Sequence, residues 1–208
     1  MAADIKAYLR GVMSACRRGL PAEYVTARSL AVQQRLLGSA SYATASTLVL
    51  YAAKDNEICT DLLLTEAVAA GRRVLFPKLE RATRGLILIP VTSPAELAPG
   101  AFGLREPIGT ETVPVAALCE ALICVPGLAF TPAGQRLGRG GGYYDGLLAR
   151  TRSRSAGLAY AFQMLDQLPE SPSDRRLDLI LTESASYGVP SECPSLARTA
   201  QGGVPGCC

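Results

Sequence analysis

Apolar side chains recur at helical spacing at the start of this chain and gather into short strand-like runs later. Ile5, Leu9, Val12, Met13 and Cys16 fall three or four positions apart, which predicts an amphipathic helix over residues 5–18. Lys6 and Arg10 stand one turn apart on a neighbouring stripe of that helix. Pro21 interrupts the pattern, and residues 22–37 form a second expected helix that offers Val25, Leu30, Leu36 and Leu37 for packing. Residues 48–52 are apolar and empty into Lys54, Asp55, Asn56 and Glu57. That is the profile of a buried strand reaching a loop at its carboxyl end, where open α/β sheets bind ligands. Thr60 is placed to cap a helix over residues 61–70, which Gly71 ends. Residues 74–77 and 86–91 read as strands on either side of a polar connection, 78–81. Residues 122–125, 157–161 and 177–181 add three more strands, and residues 144–150 have helix-forming side chains. Strands alternating with helices predict a three-layer α/β/α domain with a mostly parallel sheet covered on both faces. Prolines and glycines between Pro94 and Gly109 mark an irregular stretch. From Ser184 onward Pro, Ser, Gly and Cys dominate without periodicity, so we expect one domain over residues 1–186 and a disordered tail over 187–208.

The densest chemistry follows the strand at 122–125. Arg136, Leu137, Gly138, Arg139, Gly140, Gly141, Gly142, Tyr143, Tyr144 and Asp145 put four glycines within five positions and flank them with two arginines. Glycines let successive N–H groups turn inward as a concavity for anions, and guanidinium forks match phosphate oxygens. Asp145 is a hard oxygen donor of the kind Mg²⁺ takes beside nucleotide phosphates. The expected helix after the loop would aim its dipole at an anion. A glycine cluster alone is more often a flexible turn. This one lacks the Gly-Lys-Ser/Thr of a Walker loop and the third glycine of a dinucleotide fingerprint. Lys6 with Arg10 reads as a cooperating cationic pair or as a solvated face, and Glu57 as a ligand or as an ordinary loop carboxylate. Asp178, set among leucines and isoleucine, is either a ligand or a strand-end carboxylate meeting Arg175 or Arg176.

Composition narrows the chemistry further. The chain has 208 residues, 49% hydrophobic and 19% charged, enough for one well-cored domain. Its net charge of +3 carries no long basic run, which gives no strong case for nucleic acid or an anionic membrane as the main partner. There is no histidine, so Ser-His and Cys-His nucleophilic catalysis are excluded and carboxylates, Lys/Arg, backbone dipoles and metal remain. Seven scattered cysteines without a C-x-x-C pair suit reduced thiols in the cytoplasm. No apolar run approaches the roughly 18 residues of a membrane span.

The run from Val125 through Phe130 and Gln135 to Asp145 resembles the signature of the 5-formyltetrahydrofolate cyclo-ligase (methenyltetrahydrofolate synthetase) family almost position for position. Asn56-Glu57-Ile58 with Thr60, the pair Lys6 and Arg10, and Asp178 within residues 177–183 match in the family's order, while the middle region around residues 81–85 departs from it. The resemblance implies ATP- and Mg²⁺-dependent cyclisation of 5-formyltetrahydrofolate to 5,10-methenyltetrahydrofolate, releasing ADP and phosphate. It implies ATP contacts from Lys6, Arg10 and residues 136–144, folate contacts from Ala52, Glu57, Phe102, Arg139 and Tyr143, and Mg²⁺ ligation by Asp145 and Asp178. A monomer acting on small molecules is expected. The competing expectation is a related α/β protein that binds a nucleotide or phosphorylated ligand without this cyclisation.

Overall fold

A computed structural model describes residues 2–80, 85–100, 103–118 and 120–188. Three helices come first: α1 (Ala2–Arg18), α2 (Ala22–Leu37) and the short α3 (Ala40–Thr44). They are followed by β1 (Thr47–Val49), α4 (Asp61–Ala69), β2 (Arg73–Glu80) and β3 (Gly85–Pro90), then by β4 (Leu97–Pro99) and β5 (Arg105–Pro107). The chain continues through β6 (Ala121–Val125), β7 (Ala129–Phe130), β8 (Arg136–Leu137), α5 (Tyr143–Leu148), β9 (Arg154–Leu158), β10 (Leu179–Leu181) and β11 (Ser186–Gly188).

The main sheet has seven strands in the order β11-β10-β9-β6-β1-β2-β3. Its five inner strands run parallel, and β3 and β11 close the edges antiparallel. Period-two alternation divides the strand residues between two apolar layers. Leu48, Leu122, Cys124, Ala156 and Leu158 face Val32 and Leu36 of α2 and Leu63, Leu64 and Ala67 of α4. Val49, Ile123, Val125 and Ile180 face Leu147 of α5 together with Leu118 and the half-buried Val115. Every residue of β6 is buried, as a central parallel strand covered on both faces requires. The expected three-layer α/β/α architecture is the one observed.

Several local expectations are corrected. The polar connection expected at residues 78–81 is strand as far as Glu80, because Lys78, Leu79 and Glu80 pair with Ile87, Leu86 and Gly85 in a ribbon with half-buried faces that tolerate polar residues. The irregular stretch contains the antiparallel pair β4 and β5, joined through Leu97 and Pro107. The expected boundary at residue 186 falls inside β11, where Tyr187 pairs with Ile180; residues 189–208 lie outside the described residues. Thr60 does not cap α4 with its side chain, since its hydroxyl donates to the Tyr51 carbonyl at 2.7 Å. The α4 amides of Leu62 and Leu63 donate instead to Gln33 Oε1 on α2, at 3.0 and 3.3 Å.

The largest correction concerns α1. The expected apolar face splits, for Ile5 and Val12 are 47% and 39% exposed and Cys16 is exposed, whereas Met13 and Arg17 are buried. The helix turns its cationic stripe inward. Met13 packs with Leu128, Ala129 and Leu137 of the signature segment, so α1 covers the loops leaving the carboxyl ends of β1 and β6 rather than a sheet face.

Candidate functional site

A cleft of about 1230 Å³ opens at those carboxyl ends. It is lined by Lys6 and Arg10 from α1, by Ala52 and Glu57 from the loop after β1, and by the whole run Arg136 to Asp145. Three segments far apart in sequence are thereby brought into one cavity, larger than the roughly 300–1,000 Å³ that a single small-molecule site takes.

The glycine loop turns through left-handed backbone at Gly140 (φ 99°) and Gly142 (φ 68°), conformations that a Cβ would strain. Arg10 lies against this turn: its Nε donates to the Gly138 carbonyl at 2.9 Å, and a Cβ on Gly140 would sit 3.5 Å from its guanidinium carbon. Gly142 is the N-cap of α5, but that helix has only six residues, so the loop's own N–H groups and its arginines, more than a helix dipole, make the concavity suited to anions. Arg136 has a side chain only 5% exposed and donates through Nη2 to Asp145 Oδ2 at 2.9 Å and through Nη1 to the Pro126 carbonyl at 3.3 Å. Its Nε is buried without a partner among the described residues. An orphaned donor of this kind is costly.

Carboxylates stand beside Lys6, Arg136 and Arg139. Lys6 Nζ lies 2.6 Å from Asp174 Oδ2 and donates to Ser171 Oγ at 2.8 Å. Arg136 is paired with Asp145, and Arg139 reaches Asp55 at 2.9 Å and Glu57 at 3.2 Å. Burial would raise the Asp174 carboxyl, but the Lys6 ammonium and the Ser171 N–H outweigh it and hold it below the usual carboxylate range. Tyr51 is buried and Tyr144 half-buried, and desolvation, reinforced by the nearby Glu57 charge, pushes both hydroxyls well up, so they stay neutral hydrogen-bonding groups.

The opposite wall is the loop after β1. Asp55 (φ 49°) and Asn56 (φ 58°) hold left-handed backbone without being glycine. Side chains fix them there. Asn56 Nδ2 donates to the carbonyls of Arg17, Arg18 and Leu20 at 3.1 to 3.3 Å, while Tyr160 Oη donates to the Asn56 carbonyl at 3.0 Å. Glu57 is 8% exposed and accepts from Arg17 and Arg139 at Oε1 and from the Lys54 N–H at Oε2.

Asp178 does not join this assembly. It stands at the amino end of β10, where its Oδ2 accepts from the Ser155 N–H at 2.8 Å and the Ser155 hydroxyl at 2.7 Å, and it does not line the cleft. Phe102 lies outside the described residues. Asp174 and Ser171 line the cleft and Arg17 braces it, yet none of them was legible as a site residue. For Arg17 the signal was its place eleven positions after Lys6 and seven after Arg10, on the same helical stripe. Ser171 and Asp174 carry only the signature of a turn, and their relation to Lys6 spans more than 160 positions. Among the described residues no helix is long and apolar enough to cross a membrane.

A cation held here would have to be shared with a ligand. Among the described residues no group of three or more His, Cys, Asp or Glu side chains could hold a metal. Asp145 offers one carboxylate beside the glycine loop, which fits Mg²⁺, an ion that commonly takes one or two carboxylates and completes its shell with phosphates and water.

The model of the 5-formyltetrahydrofolate cyclo-ligase family matches residues 2–183. The chain is 27% identical to the mouse 5-formyltetrahydrofolate cyclo-ligase over 189 residues, spanning 85% of this chain and 93% of that protein. It is 30% identical to the enzyme of the same name from Mycolicibacterium smegmatis over 184 residues, again 85% of this chain and 93% of the relative. The solution structure of Aquifex aeolicus 5,10-methenyltetrahydrofolate synthetase superposes with a TM-score of 0.79 at 32% identity, covering 89% of this chain and 93% of that one.

Proposed function

The chain belongs to the 5-formyltetrahydrofolate cyclo-ligase family, and on that premise we propose that the cleft beside the glycine loop holds both of its substrates together with Mg²⁺. The reaction is the ATP-dependent cyclisation of 5-formyltetrahydrofolate to 5,10-methenyltetrahydrofolate, a ligase step of one-carbon metabolism. The observation that carries the placement is the convergence of Lys6, Arg10, Glu57 and the run Arg136 to Asp145 on one cavity of about 1230 Å³.

In this reading Lys6, Arg10, Arg136 and Arg139, with Leu137 to Tyr144 supplying backbone N–H groups and ring faces, hold the triphosphate. Glu57 binds the folate, Ala52 offers it backbone and surface, and Arg139 and Tyr143 stand where the two substrates meet. Chemistry of this kind asks for position and charge rather than a covalent enzyme intermediate. The formyl oxygen is a poor leaving group. When it attacks the γ-phosphorus, the bond to the ADP oxygen breaks and the oxygen leaves its carbon later as phosphate, while N10 forms the new C–N bond and gives up its proton to water or the departing phosphate. One ATP yields one ADP and one phosphate, and the cationic wall offsets the charge that moves between them. Asp145 is the residue that would hold Mg²⁺, which when bound neutralises phosphate charge and orients the γ-phosphoryl group. Asp178, bonded to Ser155, is not needed for that role. In this reading the protein acts as a monomer on small molecules, without nucleic acid or a membrane. The free thiols of Cys16, Cys59 and Cys124 suit a reducing cytoplasm.

The test is formation of methenyltetrahydrofolate, followed by absorbance with ATP, without ATP, and with ATP plus a chelator. Turnover should need the nucleotide and should return when Mg²⁺ is restored to the chelated sample. Full turnover in chelator would remove the metal from the proposal. Unaltered substrate affinities after substitution of Arg139 and Glu57 would remove the cleft.

A further inference from the structure

Arg17 is 1% exposed and does not line the cleft, yet its guanidinium reaches both loops that build it. Nε donates to the Asp55 carbonyl at 2.9 Å, Nη1 to the Gly127 carbonyl at 2.9 Å, and Nη2 to Glu57 Oε1 at 3.2 Å. Three acceptors from the exits of β1 and β6 are thus gathered by one rigid planar fork, which a lysine ammonium on its flexible stem could not reproduce. The loop answers in kind, because Asn56 Nδ2 donates back to the Arg17 carbonyl at 3.1 Å. Burying a charge carries a large desolvation penalty, and an apolar side chain could anchor α1 without it, so the position calls for a reason beyond packing.

The same Glu57 oxygen is shared by two arginines of different character. Arg139 is 45% exposed and lies in the cleft, where it can exchange this bond for one to a ligand. Arg17 is enclosed and has no route to a ligand. We propose that Arg17 is the positioning residue for Glu57, fixing where its carboxylate stands for the folate while Arg139 is released to the substrates. Two guanidiniums on Oε1 and one N–H on Oε2 leave the carboxylate with acceptor capacity at Oε2 for one more donor. The inference rests on the assignment of Glu57 to the folate, and the two can fail separately.

The experiment is a double-mutant cycle on the full-length protein, combining Arg17→Met with Glu57→Gln and reading KM for 5-formyltetrahydrofolate and for ATP by methenyltetrahydrofolate absorbance. Arg17→Met should raise the folate KM about tenfold or more and leave the ATP KM within about twofold. In the Glu57→Gln background the same substitution should add less than about twofold, because the group it positions is already impaired. If the folate and ATP constants rise together, or if the Arg17→Met effect persists undiminished beside Glu57→Gln, the residue is only structural and the proposal fails. If Glu57→Gln alone leaves the folate KM unchanged, the assignment of Glu57 falls and takes the proposal with it. Should Arg17→Met fail to fold by circular dichroism, Arg17→Lys replaces it in the cycle. That variant keeps the charge but not the fork, and should raise the folate KM at least about threefold with the same coupling to Glu57.

Discussion

The glycine loop and the loop after β1 meet across the cleft through Arg139, and both contain left-handed backbone, at Gly140 and Gly142 in one and at Asp55 and Asn56 in the other. The first takes this shape because its residues lack a Cβ and accept it at little strain. The second takes it because Asn56 is tied to three carbonyls at and just beyond the end of α1 and the Asp55 carbonyl is held by the buried Arg17. One wall is shaped by residue type and the other by distant partners. Perturbations of the first should therefore register in phosphate and metal handling, and perturbations of the second in the helix that braces it.

The largest expected effect is at the end of the glycine loop. Asp145→Asn keeps the side chain's shape and removes its charge, and turnover should fall by about 10²-fold, the scale of losing one electrostatic contact to a reacting phosphoryl group. Raising Mg²⁺ should restore part of it. An unchanged Mg²⁺ dependence would make Asp145 merely the partner of Arg136, and calorimetric folate affinity without nucleotide should barely move in either case.

Arg139→Ala comes next, because it removes a charge-assisted donor from the phosphate side and the glycine-loop arginine that pairs with Asp55 and Glu57 across the cleft. ATP affinity measured by calorimetry should weaken by about tenfold or more, and folate affinity by less. Collapse of folate affinity alone would reverse which wall the arginine serves.

Asn56→Gly sharpens the comparison directly. If the second wall behaved like the first, glycine at a φ of 58° would be neutral or stabilising. Loss of the bonds to Arg17, Arg18 and Leu20 should instead lower stability by about 1–2 kcal/mol, read as a fall in Tm or in the denaturation midpoint. The corresponding replacement in the other wall, Gly142→Ala, should cost about 1 kcal/mol through backbone strain alone.

The smallest effect is expected at Asp178. Asp178→Asn retains acceptors for Ser155, so turnover and its Mg²⁺ dependence should stay within about twofold of the parent. A Mg²⁺ requirement shifted as far as in Asp145→Asn would bring this aspartate into the metal site.

Period-two and helical spacing, the density of glycine beside arginine, and the absence of histidine are properties of consecutive residues. They were sufficient for the α/β architecture, the central strand β6 and the position of the glycine loop. Asp145 and Asp178 looked alike as carboxylates next to structured segments, and only the three-dimensional arrangement separated them, putting one in the cleft and the other beside Ser155. The inward turn of α1 was equally hidden. Ile5 and Val12 looked like its core face, but Lys6, Arg10 and Arg17 have acceptors waiting in loops more than 35 positions away, and those bonds set the helix's rotation. The same reason explains why Gln33, rather than the adjacent Thr60, satisfies the first amides of α4. Local spacing determines which side chains could face a neighbour. Which of them does is decided when chain segments far apart in sequence supply the only partners that can satisfy buried charge and backbone polarity.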